Sequence, residues 1–234
     1  MIPKKIFQSY MTHDVPPSIA ENIKNIKRVN PDWEYKLFND QEQEQYIQNN
    51  YGKVIWNAYQ KINPFYGAAR SDFFRYLLLY QEGGLWLDIK SSVTKPLDRI
   101  VNEDYIMSFW GPTKKNWGLH PEFDAENGVK ELVQFFILTK PRHPFLRHVI
   151  DQTVDNINNY SVEKFGIGKH GVLKVTGPIM YTNTIWPLLD RYPNKIVDME
   201  KRLGIKYSVL GGGKHLKLFK NHYSKQREPI VSNT

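Results

Sequence analysis

Two adjacent glycines, Gly83 and Gly84, separate the apolar run Phe73-Phe74-Arg75-Tyr76-Leu77-Leu78-Leu79-Tyr80 from the short apolar segment Leu85–Ile89. A long apolar stretch closed by residues that tolerate positive φ reads as a buried helix with a glycine cap. The segment that follows alternates as a strand does, with Leu85, Leu87 and Ile89 on one face and Trp86, Asp88 and Lys90 on the other. Asp72 and Arg75, three residues apart, share a face of the helix. An aromatic, a carboxylate and an ammonium are thus expected to converge where the strand leaves its sheet and a loop begins at Lys90. Open α/β sheets bind ligands at that point. An Asp at a strand end is commonly a turn former, and a helical Asp/Arg pair commonly a plain ion pair. A charge on a helix this apolar is nonetheless costly without a partner, which makes the cluster a candidate site.

The flanking chain supplies a sheet for that strand. Ile2 to Tyr10 reads as a first strand, and Pro16-Pro17-Ser18 opens a helix with Ile19, Ile23 and Ile26 on one face. Trp33 to Phe38 is a second strand, with Trp33, Tyr35 and Leu37 on one side. Asn39-Asp40 caps a polar helix, and a short helix carrying Val54, Ile55, Ala58 and Tyr59 leads to Pro64. The order β-α-β-α-α-β predicts an α/β fold: one domain with a mainly parallel, Rossmann-like sheet flanked by helices. Later strands are expected at Asp104–Trp110, Val133–Leu138 and 217–224, with a helix after Pro141-Arg142-His143-Pro144. His143 reads as structural, since His-Pro at a helix start is mostly geometry. Gly211-Gly212-Gly213-Lys214 lacks the spacing of a phosphate loop and reads as a turn.

At 234 residues one domain is the default. Lys and Arg number 32 against 24 Asp and Glu, a net charge of +8 that suits anionic partners such as nucleotide diphosphates or anionic membrane surfaces. The lysines are scattered, and no helix-turn-helix, zinc or RNP signature supports a nucleic-acid partner. There is no cysteine, which excludes disulfide and thiolate-metal designs. No stretch approaches the ~20 apolar residues of a transmembrane helix, and the first residues lack a signal peptide's apolar core. A soluble, cytoplasmic protein is expected, with peripheral membrane contact open.

The stretch Ser71-Asp72-Phe73-Phe74-Arg75 through Gly83-Gly84-Leu85-Trp86-Leu87-Asp88-Ile89-Lys90 resembles the core motif of the family 32 glycosyltransferases. That family includes Golgi initiating mannosyltransferases and bacterial and viral sugar transferases, and is related to the clostridial glucosylating toxins. Its pattern is Ser-Asp, an Arg three residues after the Asp, Gly-Gly, an aromatic and Asp-x-Asp. All positions match except the last, where Lys90 stands for the second Asp. So many matches in order within about 20 residues are far more specific than an isolated Asp-x-Asp.

The resemblance implies a GT-A-type domain with a donor-binding part over about 1–110 and an acceptor-side part over about 111–234. It implies a retaining enzyme that moves a sugar from a nucleotide-sugar donor, UDP- or GDP-linked, to a glycan or glycoconjugate acceptor in polysaccharide or surface-glycan synthesis. Asp88, Asp72 and Arg75 would be catalytic. Phe7, Gln8, Ser9 and Tyr10 would join Asp72, Arg75, Gly84, Trp86, Asp88 and Lys90 around the donor. Trp110, Gln134, Thr176, Gly177 and Pro178 fall on the acceptor side. In the loop after Trp110, Trp117 is a further stacking candidate, and Glu122, Asp124 and Glu126 are candidate acceptors of sugar hydroxyls.

Departure of the sugar leaves a diphosphate whose charge needs stabilising, usually by Mn2+ or Mg2+. Asp88 and His222 would be the metal ligands. Lys90 either binds the diphosphate in place of part of that metal or turns away. A relative that binds nucleotide sugar or glycan without turnover is the alternative.

Overall fold

The computed structural model describes residues 1–110, 120–124, 126, 128–210 and 226–232. The expectations for Trp117, for Gly211-Gly212-Gly213-Lys214, for the strand at 217–224 and for His222 lie outside the described residues. Strand β1 (Lys5–Ser9) leads through helix α1 (Pro17–Val29) to β2 (Glu34–Phe38). Helices α2 (Asp40–Asn50), α3 (Lys53–Lys61) and α4 (Gly67–Glu82) then cross to β3 (Gly84–Leu87). Next come β4 (Ser92–Val93), β5 (Tyr105–Met107), β6 (Phe136–Thr139) and helices α5 (Pro144–Asn158), α6 (Val162–Phe165), α7 (Gly168–Val175) and α8 (Pro178–Ile185). The two-residue strands β7 (Lys195–Ile196) and β8 (Ile205–Lys206) follow.

Six strands form one sheet in the order β2-β1-β3-β6-β5-β7, while β4 and β8 pair separately. The sheet is mainly parallel, as expected: β1 pairs parallel with β2 and β3, and β5 with β7. Strand β6 is the exception, antiparallel to both β3 and β5. The strands are shorter than expected. The segment expected from Asp104 to Trp110 narrows to β5 and one bridge, Phe109 to Leu132, and the segment expected from Val133 begins only at Phe136.

Alternation along the strands builds two cores. Phe7, Trp86, Ile137, Tyr105 and Met107 pack with the helices from α2 to α5, α7 and α8. Ile6, Leu85, Leu87, Ile106, Phe136 and Leu138 face the opposite side, with Ile26 of α1 and Ile205 of β8. Helix α4 is buried without a break from Asp72 to Leu79, between the sheet and α5. A helix apolar all round needs such a position.

Local chemistry sets the element ends. Asn39 accepts from the Glu42 amide while the Glu42 side chain accepts from the Asn39 amide, a full capping box at α2. In α1, Ile19 and Ile26 are buried but Ile23 is only half-buried. Asn22 takes the inner position, because its side-chain amide donates to the Ser91 carbonyl at 2.8 Å. His143 is structural, as expected: it is fully buried, and its Nδ1 accepts from the Phe145 amide at the start of α5. Gly84 is required by close approach. It sits at φ 92°, and a Cβ there would lie 2.7 Å from the Lys5 carbonyl oxygen of the neighbouring strand.

Candidate active site

The expected pairing of Asp72 with Arg75 is present and extends further. Arg75 Nη2 lies 2.9 Å from Asp72 Oδ1 and 3.0 Å from Asp88 Oδ1, so one guanidinium holds two carboxylates. Its Nη1 donates to the Gln134 carbonyl at 2.8 Å, and its plane lies over Trp86 at 5.2 Å. Thr176 closes the set by donating its hydroxyl to Asp72 Oδ2 at 3.0 Å. Asp72 and Arg75 are only 6% and 5% exposed. Burial pushes the Asp72 carboxyl up to about 7, against the pull of Arg75 and with the push of Asp88. Burial also opposes the Arg75 charge, yet Asp88 and Asp72 keep its pKa above the ordinary value.

Asp88 is the member of the set that reaches solvent, its side chain 25% exposed. Its position is fixed from three sides. Its backbone amide donates to the Phe135 carbonyl at 2.8 Å, its carbonyl accepts from Gln8 Nε2 at 3.0 Å, and Trp86 Nε1 donates to Oδ1 at 3.4 Å. The expected alternation does not reach Lys90. Strand β3 stops at Leu87, and the amide of Ser91 turns back to the Asp88 carbonyl. Lys90 consequently leaves the face of Asp88 and donates to the Tyr207 hydroxyl at 2.9 Å.

Several residues expected at the donor have partners within the protein. Trp86 is buried in the core against Phe74, with its Nε1 towards Asp88. Phe7 packs on Phe38. Gln8 is fully buried, bonded to Asp88 by its amide nitrogen and to the Tyr35 hydroxyl by its oxygen. Gly84 serves strand packing rather than ligand approach. Ser9 shares a hydrogen bond with Ser71 at 3.0 Å, and Tyr10 packs with Ile19 and Ile89. Asp72 is likewise occupied by Arg75 and Thr176 rather than open to sugar hydroxyls.

The acceptor-side expectations divide in the same way. Gln134 is buried, its side-chain amide donating to the Tyr76 hydroxyl and to the Thr176 carbonyl. Gly177 caps α8 and Pro178 opens it, but a Cβ on Gly177 would meet Leu173 Cα of α7 at 2.7 Å. Its smallness serves helix packing. Glu122 is engaged by His170 at 2.6 Å and Lys174 at 3.4 Å. Trp110 is half-buried; it stacks on Phe135 at 5.6 Å and donates to Glu131 Oε1 at 2.7 Å. Sequence reasoning did not pair Tyr207 with Lys90, 117 positions away, or Glu131 with Trp110 and His120.

As a divalent-cation site the described residues do not suffice. No three His, Asp or Glu side chains converge among them. One oxygen of Asp88 already faces a guanidinium, and Asp72 is tied down by the same group. That donor set is one carboxylate beside fixed positive charge, a poor match to the several oxygen ligands such cations take.

Residues 16–107 match the family described as glycosyltransferase sugar-binding region containing DXD motif. The match covers less than half of the chain, which is similar to that family over this stretch. The matched region holds Asp72, Arg75, Gly83, Gly84 and Asp88, yet the chain contains no Asp-x-Asp at any position. Among curated proteins it is similar to a mannosyl phosphorylinositol ceramide synthase, CSH1, of Saccharomyces cerevisiae. The two are 24% identical over 196 residues, covering 83% of this chain and 45% of the relative. The chain thus spans about half the length of such relatives. In fold it is similar to the PaToxG glycosyltransferase, with TM-score 0.57, 18% identity and coverage of 81% of this chain and 72% of that one. It is also similar to the UDP-bound glycosyltransferase domain of the YGT toxin, with TM-score 0.51, 10% identity and coverage of 88% and 83%. The architecture is therefore that of GT-A glycosyltransferases.

Proposed function

We propose that this protein is a glycosyltransferase that moves a hexose from a UDP- or GDP-linked donor to a glycan or glycoconjugate acceptor, with retention of anomeric configuration. The observation that carries the reading is the chain Thr176–Asp72–Arg75–Asp88, buried except at Asp88, which opens at the edge where β3 ends. Such a carboxylate, held by a buried guanidinium and a backbone clamp, is preorganised to orient a ligand rather than to stabilise a fold. The name of the curated relative, a mannosyl phosphorylinositol ceramide synthase, favours a glycoconjugate acceptor, and the UDP-bound fold neighbour favours a nucleotide-sugar donor.

The residues divide the work as follows. Asp88 orients the donor, and Arg75 fixes Asp88 while placing positive charge behind it. Lys90 is the side chain able to swing from Tyr207 to the departing diphosphate, since its flexible stem carries a charge that the diphosphate attracts more strongly than a hydroxyl does. Residues up to about 110 form the donor side and those beyond it the acceptor side. Among the described residues no helix is long and apolar enough to cross a membrane. The +8 net charge favours an anionic surface as the place where a lipid-borne acceptor is met.

A second reading, a relative that binds nucleotide sugar without turnover, is favoured by one observation: Lys90 in place of a carboxylate. Hydrolysis and binding of a UDP- and GDP-linked hexose panel, with EDTA or added Mn2+, on wild type and Asp88→Ala, separates the two. Turnover abolished by Asp88→Ala is expected, and EDTA shows whether His222 and Asp88 hold a cation. Binding without turnover would establish the second reading, and no binding across the panel would sink both.

A further inference from the structure

Strand β3 ends at Leu87, and the next residues turn tightly, the Ser91 amide donating to the Asp88 carbonyl at 2.8 Å. Lys90 stands two residues beyond Asp88, so their Cα atoms are at most about 7 Å apart. The Lys90 carbonyl accepts from the Val209 amide at 2.8 Å, and the Ser91 hydroxyl donates to the Tyr207 carbonyl at 2.8 Å. The backbone under Lys90 is thus pinned to a distant segment. Its half-buried side chain is held otherwise. Among the described residues the ammonium pairs with no carboxylate, and Tyr207 engages it twice, with its hydroxyl at 2.9 Å and its ring centre at 4.3 Å.

The charges around Asp88 suit an anion better than a divalent cation. Two carboxylates, Asp72 and Asp88, are matched by two cations, Arg75 and Lys90, so no negative charge is left over. Burial weakens the share of Asp72 further by lifting its carboxyl to about 7. An ammonium on a flexible stem offers three donors, which suit the oxygens of a diphosphate. Tyr207 opposes that transfer only weakly, being a neutral hydroxyl and a ring face. Its own place is fixed, since it packs edge-on to Trp110 at 5.3 Å and to Phe135 at 5.0 Å.

Building on the transferase reading, we propose that the Lys90 ammonium, held ready by Tyr207, does the work of a divalent cation by binding the donor's diphosphate and offsetting its charge as the sugar leaves. The bond from the anomeric carbon to the diphosphate oxygen breaks, and its electron pair stays on that oxygen. The acceptor oxygen bonds to the anomeric carbon on the face the diphosphate leaves, which retains configuration, and the acceptor proton passes to the departing diphosphate. Lys90 donates to the diphosphate throughout and keeps its own protons. It is then a catalytic residue. Tyr207 is a positioning residue that holds the ammonium until a diphosphate takes it.

Calorimetry with UDP, GDP, UMP and GMP in EDTA is the first probe, since it needs no turnover. Wild type is expected to bind one diphosphate about 10- to 100-fold tighter than its monophosphate. Lys90→Met keeps the stem and loses the charge. It is expected to lose most of that preference, with monophosphate affinity within about threefold of wild type. Tyr207→Phe removes the competitor for the ammonium and keeps the ring, so diphosphate affinity is expected to rise about two- to tenfold. Hydrolysis of UDP- and GDP-linked hexoses should be insensitive to EDTA in wild type and fall on the order of 10²–10³-fold in kcat in Lys90→Met. Diphosphate binding or turnover that EDTA abolishes, no preference for diphosphate in wild type, or a preference that survives in Lys90→Met overturns the assignment. Unchanged or reduced diphosphate affinity in Tyr207→Phe overturns the part given to Tyr207. If Lys90→Met does not fold, Lys90→Gln is held to the same outcomes. Wild type that shows the preference without turnover supports the diphosphate site and overturns the transferase reading. Wild type that binds no nucleotide overturns both.

Discussion

Thr176 donates its hydroxyl to the carboxylate of Asp72 at 3.0 Å, joining residues 104 positions apart and closing the buried end of the site. The Tyr76 hydroxyl of α4 donates to the Thr176 carbonyl at 2.7 Å, so the turn before α8 is fixed to α4 by side chain and backbone together. Replacing Thr176 with Val keeps the shape and removes the donor. A loss of about 1–3 kcal/mol is expected from a buried hydrogen bond to an ionisable group. Urea unfolding measures it, and Thr176→Ser should recover most of the loss. Equal stability of wild type and Thr176→Val would mean that the bond does not form.

Asp72 also makes stability depend on pH. Its carboxyl titrates at about 7 in the folded protein against an ordinary 3.8, chiefly through burial. Between about pH 4 and 7 the folded chain therefore holds a proton that the unfolded chain has released. The contribution of this group to stability falls as pH rises through that window. Asp72→Asn should flatten the decline, measured as the difference in urea midpoints between pH 5 and pH 8. Identical pH slopes for the two proteins would contradict the account.

His143 acts in the opposite direction. Burial pulls its imidazole down to about 4 from 6.5, although its bond to the Pro193 carbonyl works the other way. The unfolded chain takes up a proton below about pH 6.5 that the folded one refuses, so stability drops from there towards pH 4. His143→Asn retains an acceptor for the Phe145 amide and should lose stability less steeply in acid. Thermal melts of both proteins from pH 7 to pH 4 test this, and parallel curves would rule it out.

Gly84→Ala tests the strand junction. A side chain at φ 92° costs on the order of 1–3 kcal/mol in conformation alone, and the added Cβ would press on the Lys5 carbonyl at 2.7 Å. Marked destabilisation or insoluble expression is expected, with Gly52→Ala as control, because nothing lies within 4 Å of a Cβ there. Equal melting temperatures for the two variants would show that β1 and β3 can separate without cost.

The elements that could be read from the sequence are those whose cause is local. The capping box at Asn39, the uninterrupted apolar run of α4 and the Gly83-Gly84 junction each carry their reason within a few residues. The same holds for the Asp72–Arg75 pair, one helical turn apart. The direction of β6 was not legible, because a short apolar run pairs equally well either way and only its neighbours decide. Trp86 and Gln8 looked like ligand groups because their residue types suit both roles. Their burial depends on helix α4, on Tyr35 and on the turn after β3. Lys90 escaped for a related reason: alternation holds only while a strand continues, and β3 ends three residues earlier.

The seam along the Asp88 loop has a consequence for biosynthesis. Ser91 and Lys90 bond to Tyr207, the Val209 amide returns to the Lys90 carbonyl, and both the amide and the hydroxyl of Thr94 hold the Gly204 carbonyl. A nascent chain that has emerged only as far as α8 already has the sheet strands that present Asp88 and the Asn22 amide on the Ser91 carbonyl, but lacks every bond that residues 204–210 make to the loop. The clasp is completed when residues 204–210 arrive, more than a hundred positions later. Assembly of the site thus waits on a segment more than a hundred positions beyond Asp88, and a fragment ending before Gly204 would fold around an unfinished one.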